Sequence, residues 1–117
     1  MTVVLARTRT AEGLAAARFA VEECRRRQED LVAFTFDGHD HEDDADFAGV
    51  TVTFRAPDPR NRDVVGELLD TVQAVDASAI VIGIRSRTAV GKLLLGSAAQ
   101  QVLLEASVPV IAVKAVR

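Results

Sequence analysis

Between Gly83 and Ser97 the chain gathers the residue types that hold anions: Gly83, Arg85, Ser86, Arg87, Gly91, Lys92, Gly96 and Ser97. A glycine just ahead of a helix lets the backbone approach an anion, and the first turn of that helix carries N–H groups with no partner inside the helix. Arginine grips phosphate through a planar fork of donors, while lysine adds a mobile point charge. Ser97 is read as capping the following helix and donating its hydroxyl to the phosphate. A competing reading gives the glycines only turn geometry, the cations a solvated surface and Ser97 only the cap. A Walker P-loop is excluded, because Ser86 replaces its first glycine and Leu93 its hydroxyl residue.

A second concentration of functional groups runs from Asp37 to Phe47 and includes His39 and His41 among acidic side chains. Imidazoles and carboxylates ligate divalent ions, but this stretch lacks the positional pattern of an EF-hand. It reads as a solvated acidic loop with no bound metal. Both histidines of the chain fall in that loop, and Cys24 falls inside a helical pattern. No nucleophile, base and orienting group come together, so no catalytic residue is assigned and the chain is expected to be a binder rather than an enzyme, requiring no cofactor. The single cysteine excludes an internal disulfide and is assigned to packing.

The elements that must position these groups alternate in type. Thr2 to Ala6 is a short apolar run with β-branched residues and predicts a buried strand. Leu14, Ala17, Val21 and Cys24 recur at helical spacing, widened by Phe19 and Ala20, and predict a helix over Ala11 to Arg27 with Thr10 as N-cap. Arg25, Arg26 and Arg27 stand where positive charge suits the helix C-terminus. Further strands are predicted over Leu31 to Phe36, Val50 to Phe54, Ala79 to Gly83 and Val110 to Lys114, the second of these alternating like an edge strand. Helices are predicted from about Arg62 to Val75 and from Ser97 to Ala106, the latter with Ala98, Val102, Leu103 and Ala106 inward. Strands interleaved with helices imply right-handed crossovers and a mostly parallel sheet covered on both faces. The connection between the second and third strands is short and shows no helical pattern.

The 117 residues fit one domain, 49% of them hydrophobic, which is too apolar for global disorder. A net charge of -3 argues against a general nucleic-acid binder. No apolar run is long enough to span a bilayer and the start resembles a strand rather than a signal peptide, so a cytoplasmic location is expected. The β-rich last strand needs a partner at its edge, and pairing of two copies through Val110, Ile111 and Val113 would supply one.

The chain resembles the universal stress protein family over essentially its whole length. The family pattern Gly-x2-Gly-x9-Gly-Ser/Thr appears as Gly83-x2-Ser86-x9-Gly96-Ser97, followed by Gln101-Val102-Leu103 and the closing Val108-Pro109-Val110-Ile111-Ala112-Val113. The resemblance implies a five-stranded sheet ordered 3-2-1-4-5, homodimerisation through the last strand and, in one subgroup, ATP bound at the strand C-termini. Ser86 departs from the second glycine of the pattern. The aspartate that nucleotide-binding members carry after the first strand is also missing, since the matching turn reads Ala6-Arg7-Thr8-Arg9. Ala6 and Thr8 are therefore the residues expected on the nucleoside side, and arginine there donates where the family accepts. Two functions follow from these residues: a stress-response-type regulatory domain that binds a nucleotide or another phosphorylated ligand, or a homodimeric scaffold that has lost it.

Overall fold

The computed structural model describes residues 1–36, 46–85 and 96–115. Strand β1 (Thr2–Arg7) leads through Thr10 into helix α1 (Ala11–Arg27), followed by β2 (Asp30–Thr35) and β3 (Val52–Arg55). Helix α2 (Val64–Ala74), β4 (Ala77–Ile84), α3 (Ser97–Glu105) and β5 (Val110–Lys114) complete the order. The five strands form one sheet, β3-β2-β1-β4-β5, in which every pairing is parallel. This is the α/β architecture, and the strand order, that the sequence and its resemblance imply.

Alternation along the central strands divides the core between two faces. Val3 and Leu5 of β1, with Leu31, Ala33 and Val81, pack beneath α1. Val4 and Ala6, with Val32, Phe34, Ile80 and Ile82, pack beneath Val65, Leu68 and Val72 of α2 and Val102 of α3. Successive side chains of a strand point to opposite faces, so a strand buried on both sides must be apolar throughout.

Local chemistry explains where the elements begin. Thr10 Oγ1 accepts the Gly13 N–H at 2.9 Å and starts α1. The second helix starts at Val64 rather than near Arg62, because Asp63 caps it by accepting the Gly66 N–H at 2.9 Å. The fourth strand starts two residues earlier than expected, at Ala77, through a bulge opposite Thr2 and Val3. Ser78 sits in that bulge and donates to Glu29 Oε2 at 2.8 Å. The third strand starts at Val52 rather than Val50. Ahead of it, residues 46–51 contain no helix, and Gly49 takes a φ of 81° that favours glycine. Arg25 Nε donates to the Ala48 carbonyl at 3.0 Å, tying this connection to the end of α1.

Two helix faces differ from expectation. The buried side of α1 is made of Gly13, Ala16, Ala17, Ala20, Val21 and Cys24, whereas Leu14 is half-buried and Phe19 is exposed. Small residues let the helix axis lie close to the sheet, which turns the larger apolar side chains outward. Helix α3 buries Val102 alone, while Ala98 and Leu103 are exposed and Ala106 is half-buried. The arginines at the end of α1 join Glu22 and Glu23, with Arg25–Glu22 and Arg26–Glu23 both at 2.7 Å.

Candidate functional site

Between β1 and β4 the connections leave the sheet in opposite directions. In open α/β sheets the crevice at such a switch point, outside the strand C-termini, is where ligands bind. A cleft of about 200 Å³ lies there. Gly83, Ile84 and Arg85 at the end of β4 line it, with Gly96, Ala98 and Ala99 of the α3 start. Thr8, Thr10 and Glu12 line it from the turn after β1 and the first turn of α1, and Phe36 and Ile82 add apolar wall.

Gly83 and Gly96 serve different ends. A Cβ on Gly83 would lie 2.4 Å from the Glu12 carbonyl oxygen and 2.9 Å from the Gly13 nitrogen. Only glycine admits that approach, so Gly83 lets the first turn of α1 rest against β4. A Cβ on Gly96 would meet nothing within 4 Å, and its φ of -66° suits any residue. The bare backbone at Gly96 therefore answers no packing demand among the described residues. Gly96 is also the N-cap of α3 and provides no side-chain hydrogen bond to the helix. Ser97, expected as the cap, is instead the first helical residue and is not among the cleft's lining residues. The cap position precedes the first helical residue, so its extended backbone falls at Gly96 and a hydroxyl one residue later cannot fold back as a cap.

Of the residues singled out in the sequence, Gly83, Arg85, Gly96 and Thr8 meet at the cleft. Ala6 does not: its methyl group is fully buried in the core beneath α2 and α3. Ser86, Arg87, Gly91 and Lys92 lie outside the described residues, as do His39 and His41. Thr10, Glu12 and Phe36 join the site although no sequence pattern marked them for it. The signal available was topological, since the β1–α1 turn and the β4–α3 loop leave neighbouring strands at the same end of the sheet.

Arg7 belongs to a different neighbourhood. Its side chain is 5% exposed, with the guanidinium carbon 5.4 Å from the Phe47 ring centre and 5.5 Å from that of Phe54. Those rings meet edge to face at 5.6 Å. A cation over aromatic faces is held electrostatically, and this one anchors the end of β1 to the β3 side of the sheet. Cys24 is buried in α1, and burial, reinforced by the Glu29 carboxylate, pushes its thiol up to about 11. It is therefore protonated at neutral pH and a poor nucleophile. Among the described residues no three His, Cys, Asp or Glu side chains gather to hold a metal, and no helix is long and apolar enough to cross a membrane.

A parallel α/β sheet with a crevice at its switch point defines a broad fold class. Within it, a model of the universal stress protein family matches residues 58–114. A universal stress protein of Mycolicibacterium smegmatis is 39% identical over 115 residues, with 87% of this chain and 88% of the relative covered. The chain belongs to the universal stress protein family. A universal stress protein structure from Archaeoglobus fulgidus superimposes with a TM-score of 0.70 at 30% identity, covering 97% of each chain. An A. fulgidus universal stress protein in complex with dAMP gives a TM-score of 0.64 at 26% identity, covering 97% of this chain and 96% of that one.

Proposed function

We propose that this chain is a regulatory binding domain that takes a nucleotide or another phosphorylated ligand in the cleft above β1 and β4. The observation that carries this reading is the start of α3, where among the described residues nothing lies within 4 Å of a side chain placed at Gly96 and Arg85 lines the same cleft at the switch point of the sheet. Helix N–H groups and a guanidinium together favour a phosphate there. In this reading Ser86, Arg87, Gly91 and Lys92 extend the same anion-binding loop, and Ser97 offers its hydroxyl to the ligand. The A. fulgidus structure with dAMP supports a nucleotide as one such ligand. The domain acts by binding rather than by catalysis, needs no cofactor, and works in the cytoplasm. The test is a titration with AMP and with inorganic phosphate while amide NMR shifts are followed. Shifts should centre on Gly96, Ala98 and Ala99, and shifts confined to other regions would exclude the site.

A second reading, a homodimeric scaffold without a ligand, draws on a different surface. The outer edge of β5 carries half-buried Val110, Ile111 and Val113. Beside it an apolar groove of about 480 Å³ runs between Leu14 and Phe19 of α1 and Val113. Pairing of two β5 edges across a two-fold axis satisfies their backbone groups and is compatible with either reading. Light scattering should give a dimer mass for the chain and a monomer or insoluble protein for Ile111→Lys. A monomer for the unaltered chain would overturn the pairing.

A further inference from the structure

We propose that Glu12 selects among ligands of this cleft, favouring phosphorylated compounds that also carry a hydroxyl donor, such as sugar phosphates and nucleotides, over bare inorganic phosphate. This rests on the reading that the cleft takes a phosphorylated ligand. The argument starts from an apparent conflict of charge. Among the described lining residues Arg85 is the one cation and Glu12 the one carboxylate. A carboxylate near a bound phosphate repels it, so a site serving phosphate alone would be better without Glu12. A ligand that presents its phosphate to Arg85 and α3, and a donor group to Glu12, turns that carboxylate from a cost into a contact.

The two hydroxyls that line the cleft are partly engaged, with each other and with the start of α1, and neither carries a charge. Thr8 Oγ1 and Thr10 Oγ1 share a hydrogen bond at 3.0 Å, and Thr10 Oγ1 also accepts the Gly13 N–H at 2.9 Å. No described residue hydrogen-bonds or ion-pairs with the Glu12 side chain. Its backbone, by contrast, is fixed, because Gly83 packs directly against the Glu12 carbonyl. Phe36, Ile82 and Ala99 supply apolar wall that suits the carbon frame of a sugar or base and gives nothing to a bare phosphate. Glu12 also lies in the first turn of α1, where a negative charge favours the helix. That structural role acts on stability alone, and the experiment separates it from selection.

Calorimetric titration of the full chain with AMP, ribose 5-phosphate and inorganic phosphate tests the proposal. The unaltered chain should bind the first two more tightly than phosphate. Glu12→Ala should weaken AMP and ribose 5-phosphate about tenfold, the loss of one charge-assisted hydrogen bond, while leaving phosphate unchanged or tighter. Glu12→Gln keeps an acceptor oxygen and should recover part of the loss. Equal effects on all three ligands, or an effect on melting temperature alone, would overturn the role of Glu12. So would phosphate binding the unaltered chain as tightly as AMP, although the cleft reading would then stand. If none of the three binds at all, both readings fall.

Discussion

Helices α1 and α3 both begin at the same cleft, yet they are held in opposite ways. The first is closed at both ends: the Thr10 hydroxyl caps its start, Gln28 ends it through left-handed backbone at φ 57° with its N–H donating to the Cys24 carbonyl, and a run of small residues lays it against the sheet. The third has a glycine at its cap, no side-chain bond there, and one buried residue, Val102. At the start of α1 the Thr10 hydroxyl takes the Gly13 N–H, whereas among the described residues no side chain takes an N–H at the start of α3. The comparison teaches that α1 is seated by its cap and its small residues, whereas among the described residues the start of α3 is held by neither.

The contrast can be broken most severely at Gly83. Gly83→Val forces a branched side chain against the Glu12 backbone and should cost on the order of 3 kcal/mol or more, read as a fall in the urea midpoint, with failure to fold as the extreme case. A cost below about 1 kcal/mol would mean that α1 is not seated as described. At the other end of α1, the Cys24 thiol is raised from 9.0 to about 11, so the native state holds its proton more tightly than the unfolded chain. Its contribution is complete below pH 9 and is lost as the pH rises from about 9 to about 11. Comparing urea curves of the unaltered chain and Cys24→Ala across that range should isolate a steeper alkaline decline in the former, on the order of 2 kcal/mol. The smallest effects sharpen the difference between the two caps. Thr10→Ala should cost about 1 kcal/mol, whereas Gly96→Ser should change stability by only a few tenths, in the favourable direction. The new hydroxyl at 96 should weaken anion binding in the calorimeter, because it accepts the N–H groups that the ligand would otherwise use.

Much of this architecture was legible because local chemistry and tertiary packing agree. The apolar runs of β1, β2 and β4, the helical stripe of α2 and the Thr10 cap follow from periodicity and from the hydrogen-bonding habits of short polar side chains. The site was legible in part. Gly83, Arg85 and Gly96 can be placed at one loop, but the hydroxyl of Ser97 suggests a cap where the extended backbone in fact falls one residue earlier, at Gly96. Glu12 and Phe36 escaped notice because nothing in their own neighbourhood distinguishes them from an ordinary helical acid and a strand-end aromatic.

By itself the sequence determined which segments are strands and helices, and therefore that the fold is an alternating α/β sheet, since backbone propensity and apolar spacing act over a few residues. The outward turn of Leu14 and Phe19, the two distinct uses of glycine at 83 and 96, the contact of Arg7 with Phe47 and Phe54, and the meeting of Glu12 with Gly96 were decided only in three dimensions. Each depends on how closely one element approaches another far away in the chain. That distance is set by the whole packed core, and no local pattern of residues carries it.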